Sequence, residues 1–210
     1  LSSTVVAPLY GKIGDLYGRR NTVAVSVGIF LLGSALCGIS QDMTQLILSR
    51  ALQGLGGGGL FVLTLSVIGD VIPPKDRGKV QGVFAAVFSI SSVVGPLLGG
   101  WFVDQFSWHW IFFINIPIGI FASFTVGAQL KGRPERLEKP KMDYIGLATL
   151  VLGVGALQIL LDLGNDEDWF RSTTIVVLAI VAVIALAVFV IWELTDDDPI
   201  VDLRLFRHRN

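Results

Sequence analysis

Hydrophobic residues in this chain fall in long unbroken blocks, and polar residues collect in the short gaps between them. Apolar blocks cover 21–40, 46–71, 80–103, 111–130, 144–161 and 173–192, and residues 1–10 continue a further one at the chain start. A helix rises about 1.5 Å per residue, so about 20 apolar residues cross the hydrocarbon of a bilayer. The pattern therefore predicts six complete membrane-spanning helices and the second half of a seventh. A small soluble core has no room for that many apolar segments, so the expected fold class is an all-α polytopic membrane protein.

The gaps set the topology. Lys12, Arg19 and Arg20 lie in 11–20; Lys75, Arg77 and Lys79 in 72–79; five basic residues in 131–141; and Arg204, Arg207 and Arg209 in 193–210. These alternate gaps carry 14 of the 16 Lys and Arg; the intervening gaps hold only Arg171, and Arg50 lies inside a block. Cytoplasmic loops of membrane proteins are enriched in Lys and Arg. The four basic gaps are accordingly assigned to the cytoplasm and the acidic cluster 165–168 to the outside. A miscounted span would have mixed the two sets.

Composition agrees with this picture and narrows the chemistry. The 210 residues are 52% hydrophobic and 16% charged, against about 25% charged in soluble domains. A net charge of −1 gives no overall attraction for nucleic acid. Cys37 is the single cysteine and the two histidines, His109 and His208, are far apart, so neither an intrachain disulfide nor a metal cluster is expected. No GxxxxGK[ST] loop occurs. Gly54, Gly56 and Gly59 spell a dinucleotide fingerprint, but inside an apolar helix rather than a strand–turn–helix unit. Gly54 and Gly58 read instead as a small-xxx-small packing face. No cofactor is expected, nor any enzyme activity. The chain opens on Leu without a basic leader, and is expected to be a segment of a longer protein.

Four segments carry candidate chemistry. Gly11-Lys-Ile-Gly-Asp-Leu-Tyr-Gly-Arg-Arg20 forms a short turn between two spans, where Gly14 and Gly18 allow a tight bend, Asp15 can accept hydrogen bonds at a helix end, and Arg19 can pair with an acid. Composition alone reads it as an ordinary basic turn. Arg50 is the one basic residue within a span. An ionisable group in hydrocarbon marks a functional site or a watery cavity, unless it snorkels to the interface. Arg50, Gln53, Gly54 and Gly57 share a helix face by their spacing. In Gly95-Pro-Leu-Leu-Gly-Gly100, Pro96 favours a kink and the glycines let another helix approach. Trp108 and Trp110 suit the outer interface. Their neighbour His109 reads as an exposed loop residue, and Asn115 and Pro117 either line a cavity or pack.

The first of these segments resembles the signature between helices two and three of the major facilitator superfamily, with Gly11, Asp15, Gly18, Arg19 and Arg20 at its defining positions. Arg50 with Gly54 resembles the Arg-x-x-x-Gly motif of the fourth helix. Gly95, Pro96, Gly99 and Gly100 resemble the antiporter motif of the fifth, although Ser91 stands where the longer form has glycine. Trp108–Gly119, the acidic outer turn and the segment after Trp192 are similar to the fourteen-helix drug:proton antiporter branch of EmrB/QacA type, nearest its EmrB side.

The resemblance implies a fold and a division of the chain. Residues 1–130 would be an N-terminal six-helix bundle lacking helix one and part of helix two. Residues 131–143 would be a cytoplasmic linker, 144–192 two additional spans, and 193–210 a connector to a C-terminal bundle. It also implies roles. Asp15, Arg19 and Asp70, with Gly11, Gly18 and Arg20, would form a conformational latch, and Arg50 would tune proton coupling. Gly95, Pro96, Gly99 and Gly100 would shape an antiporter-type helix interface. Gln53, Gly54, Phe88, Ser89 and Asn115 are candidates for a substrate cavity.

The implied activity is proton-driven export of drugs or other amphipathic molecules from the bacterial inner membrane, with the proton gradient as energy source. The lipid bilayer, the substrate, protons, and a periplasmic adaptor with an outer-membrane channel are the implied partners. An uptake symporter of the same fold and a non-transporting membrane scaffold or sensor are the alternatives.

Overall fold

The computed structural model describes residues 2–129 and 143–196, and every regular element among them is helical. The helices are α1 (Ser2–Tyr17), α2 (Arg19–Gly38), α3 (Met43–Val71), α4 (Pro74–Gln105), α5 (Trp110–Phe113), α6 (Asn115–Gln129), α7 (Tyr144–Leu163) and α8 (Thr173–Thr195), with a 3-10 turn at Trp169–Arg171. Six stretches are long and apolar enough to cross a membrane: α2, α3, α4, the α5–α6 unit, α7 and α8.

The bends are tighter than the sequence suggests. The expected turn over 11–20 is mostly helix, because α1 continues to Tyr17 and Gly18 alone separates it from α2. Gly18 has φ 86° and ψ 137°, a conformation that only glycine adopts without strain. Keeping Gly11–Tyr17 helical leaves their backbone groups paired within the helix as the chain leaves the bilayer. At the N-terminal end of α3, Asp42 caps the helix by accepting from the Gln45 amide at 2.8 Å, and Gln45 Oε1 accepts from the Gln41 amide at 3.0 Å. Beyond its C-terminal end, Pro74 opens α4 one residue after Pro73, which suits a residue with no amide hydrogen to leave unpaired.

The expected helix over 111–130 is broken at Ile114. Pro117 explains the position. It offers no amide to the carbonyl of Phe113, four residues earlier, and its ring crowds that carbonyl. At the other end of the chain, α8 runs on to Thr195, past the expected limit of 192, and Asp143 caps α7 through the amides of Ile145 and Gly146 at 3.0 and 2.9 Å. The remainder of the linker 131–143, and the connector 193–210 beyond Asp196, lie outside the described residues.

Helices α1, α2 and α3 pack as a tight trio, with α5 and α6 against α2. The α7–α8 hairpin closes on itself and touches α1. The trio is built on absent side chains. A Cβ placed on Gly56 would stand 2.6 Å from the Ser26 carbonyl oxygen and 2.7 Å from Phe30 Cα, and one on Gly58 would stand 2.9 Å from Ser3 Cα. Such backbone-to-backbone approach substitutes for hydrophobic drive where lipid is as apolar as the protein. Helix α4 differs from all of this, since none of its residues is buried. Large apolar side chains on the outside, such as Phe124 at 78% exposed, are the surface that lipid covers.

Candidate functional site

Two polar centres lie along α3. At its C-terminal end, Arg19 Nη2 lies 2.9 Å from Asp15 Oδ1 and Arg19 Nε 2.5 Å from Asp70 Oδ2. The glycine-rich bend places the arginine there. Gly18 reverses the chain, Thr22 Oγ1 donates to the Gly18 carbonyl at 2.9 Å, and buried Gly14 admits Leu63 of α3 at 3.1 Å from a would-be Cβ. Gly11 faces Val62 more loosely, and Arg20 follows in the first turn of α2. The structure thus brings α1, α2 and α3 together through one guanidinium. Both carboxylates are about half exposed, and ion pairs of that kind contribute roughly 0–1 kcal/mol each. Such pairs are easily made and broken.

The second centre is Arg50. Because α3 starts at Met43, Arg50 stands seven residues into the helix, about 10 Å from its N-terminal end. Its Nη1 donates to Gln53 Oε1 at 2.7 Å, and its guanidinium lies 5.7 Å from the centre of the Phe112 ring. Gln53 Nε2 donates to Ser34 Oγ at 2.7 Å. A cavity of about 540 Å³ opens beside the guanidinium, bounded by Ser2 and Ser3 of α1, Phe30 of α2, and Ile47, Gln53, Gly54 and Gly57 of α3. The cavity joins one cation, the two hydroxyls of Ser2 and Ser3, and an apolar wall.

The remaining expected residues are distributed differently. Of the five substrate-cavity candidates, Gln53 and Gly54 line this cavity and the other three do not. Phe88 and Ser89 lie on the exposed surface of α4, and Phe88 is 65% exposed. Asn115 is turned toward Ser34, donating to its Oγ at 3.0 Å. Their displacement follows from α4 standing clear of the trio. The antiporter-type motif shares that isolation: a Cβ on Gly95, Gly99 or Gly100 meets nothing within 4 Å among the described residues, and α4 runs through Pro96 unbroken. Gly54 and Gly58 both lie against α1, at Ser2 and Ser3.

Several residues that sequence reasoning passed over are placed in polar contacts. His109 is half-buried rather than an exposed loop residue. Its Nδ1 lies 2.7 Å from Ser107 Oγ, its Nε2 lies 3.1 Å from the Ser40 carbonyl oxygen, and its ring stacks on Trp108 at 3.7 Å. A carbonyl only accepts, so Nε2 carries the hydrogen, and the ring ties the α4–α5 loop to the α2–α3 turn. Arg77 donates to the Gly69 and Ile72 carbonyls at 2.5 and 3.1 Å, satisfying the end of α3 beside Asp70. Trp192 Nε1 donates to both Asp143 oxygens at 3.1 Å, while Glu193, fully buried, lies beside Gly146. An arginine six residues after a helix end and a Trp-Glu pair closing an apolar span were the available signals. Among the described residues, no group of His, Cys, Asp and Glu is placed to hold a metal ion.

The family model of the Major Facilitator Superfamily matches residues 1–192. Multidrug resistance protein 3 of Bacillus subtilis is 43% identical over 202 residues, which is 96% of this chain and 39% of that protein. The multidrug export proteins EmrB of Haemophilus influenzae and of Escherichia coli K12 are each 39% identical over 210 residues, covering 100% of this chain and 41% of theirs. The chain thus spans about two fifths of the length of these relatives.

Proposed function

The chain belongs to the major facilitator superfamily, and from that premise we propose that it works within a proton-driven exporter of drugs and other amphipathic small molecules. It is EmrB-like, an all-α, multi-pass integral membrane protein of the bacterial inner membrane. Cargo crosses without covalent change, so no enzyme chemistry and no cofactor beyond the proton gradient enter the scheme. The names of the relatives, multidrug resistance and multidrug export proteins, support the cargo class. The EmrB likeness further suggests a periplasmic adaptor and an outer-membrane channel as partners.

The observation that carries this reading is Arg50. A guanidinium held at membrane depth, oriented by Gln53 and Phe112 over a cavity, is costly to keep unless it acts. Arginine does not release its proton at physiological pH, so Arg50 acts by holding a nearby acid in its charged form until a proton arrives down the gradient. Protonation of that acid would change the balance between inward- and outward-facing states, as alternating access requires. At the cytoplasmic face, the Asp15–Arg19–Asp70 cluster, with Gly11, Gly18 and Arg20 shaping the bend, would latch one of those states. The weakness of half-exposed ion pairs lets it release on each cycle. Gly95, Pro96, Gly99 and Gly100 would give α4 a surface for close helix approach and so favour antiport.

The test uses the intact transporter in energised everted vesicles, with a dye reporting the proton gradient. Amphipathic drugs added to the outside, which is the cytoplasmic face, should dissipate the gradient. Arg50→Ala should abolish that response at unchanged expression. A normal response in the variant removes Arg50 from coupling. No response to a broad drug panel in well-expressed parent protein moves the assignment to an uptake carrier or a non-transporting role.

A further inference from the structure

We propose that Ser34 and Asn115 are positioning residues that aim Arg50, through Gln53, from two helices away. The chain of bonds is continuous: Arg50 Nη1 to Gln53 Oε1 at 2.7 Å, Gln53 Nε2 to Ser34 Oγ at 2.7 Å, Asn115 Nδ2 to Ser34 Oγ at 3.0 Å, and Ser34 Oγ to the Phe112 carbonyl at 3.0 Å. Its direction is dictated by chemistry. Phe112 offers a carbonyl, which only accepts, so the Ser34 hydrogen is committed there. Both Ser34 lone pairs then accept, one from Gln53 and one from Asn115. With its amide nitrogen on Ser34, Gln53 must present its oxygen to Arg50, which can only donate. The reversed amide would set two donors against each other.

Ser34 is fully buried and Gln53 is 3% exposed, so water does not replace these bonds and each partner constrains the next. The anchor of the chain lies at the α5–α6 junction, where the Ser34 hydroxyl reaches the Phe112 carbonyl. The Phe112 ring on the Arg50 guanidinium closes the loop. Gln53 and Asn115 are therefore support for the cation rather than contacts for cargo.

The inference rests on the coupling role of Arg50 proposed above. If Arg50 sets the charge state of an acid, its position sets the pH at which that acid takes its proton. For an acid of the intact transporter ~4 Å from the guanidinium, at an effective dielectric of about 20, a retreat of ~1 Å would move the midpoint by about 0.6 pH unit. Loosening the relay should then shift the pH profile of transport while the charge remains.

The experiment reconstitutes the intact transporter with Arg50→Ala, Ser34→Ala and Asn115→Leu, and measures drug-dependent proton flux against pH together with drug affinity. Ser34→Ala and Asn115→Leu should each move the pH midpoint by about half a unit or more, with drug affinity within about twofold of the parent, and Ser34→Thr should restore the parent profile. If Ser34→Ala fails to fold, Asn115→Leu, at a half-buried site, decides. A parent-like pH profile in folded variants overturns the relay, and so does a loss of drug affinity that accounts for the whole defect. Full coupled flux in Arg50→Ala overturns the coupling role and the relay with it. Abolished flux in Arg50→Ala beside parent-like Ser34 and Asn115 variants overturns the relay alone.

Discussion

Helices α3 and α4 are alike on paper and opposite in the structure. Both are long and apolar, 29 and 32 residues, and both carry a glycine motif. In α3 most of the glycines are jammed, Gly56 against α2 and Gly58 against the backbone of α1 among them, and Gln53 is seated on Gly33 of α2, whose would-be Cβ lies 2.5 Å from Gln53 Cα; Gly69, near the end of α3, meets nothing within 4 Å among the described residues. In α4, Gly82, Gly95, Gly99 and Gly100 face open space among the described residues. A glycine stripe in a membrane helix therefore states that another backbone can come close; it does not state which one, or whether that backbone lies nearby in the sequence. The polar side chains follow the same division. The bonds of Gln53 run into the trio, whereas Ser92 on α4 bonds its own helix at Phe88.

Substitutions break this comparison at graded cost. Gly56→Leu should have the largest effect. A side chain driven into the α2 backbone exceeds ordinary overpacking, so a loss of more than about 3 kcal/mol and little folded protein are expected. Size-exclusion profiles and thermal unfolding in detergent report it directly, and a monodisperse variant with parental unfolding would refute the packed interface. Gly18→Ala separates conformation from space. The residue is needed for its φ of 86°, so a moderate loss of about 1–2 kcal/mol should appear even though alanine is small. Gly99→Ala should be the mildest. In a helix without close neighbours alanine is favoured over glycine by about 0.5–1 kcal/mol, so unfolding should be unchanged or slightly raised. A drop of more than about 2 kcal/mol there would mean that α4 is packed against another backbone in the intact protein.

Several parts of the site were legible in advance and others were not, for reasons that differ residue by residue. Arg50 stood out because a charge inside an apolar block is expensive. The expected bridge from Arg19 to Asp15 and Asp70 came from the motif, since nothing in the intervening residues shows that the ends of α1 and α3 adjoin. Pro117 was visible, yet nothing along the chain shows that the Ser34 hydroxyl meets the Phe112 carbonyl, 78 residues away. Ser34 is one small polar residue in an apolar run and carries no signal of its own. Phe88 and Ser89 do not line the cavity beside Arg50, and the sequence could not show this because α4, apolar on every side, has no stripe to mark which way it faces. His109 was read as a free loop residue because its acceptor, the Ser40 carbonyl, is 69 residues away.

The sequence by itself predicted how many spans the described residues contain, and it assigned the basic gaps to the cytoplasm. Those properties are sums along the chain, of apolar length and of basic charge, and they need no neighbour to be evaluated. Only the tertiary structure decided which glycines are covered, which amide oxygen Arg50 meets and where the cavity opens. Those depend on the rotation of each helix about its axis, and in a bilayer that rotation is fixed by the packing of one helix on another rather than by any difference between its faces.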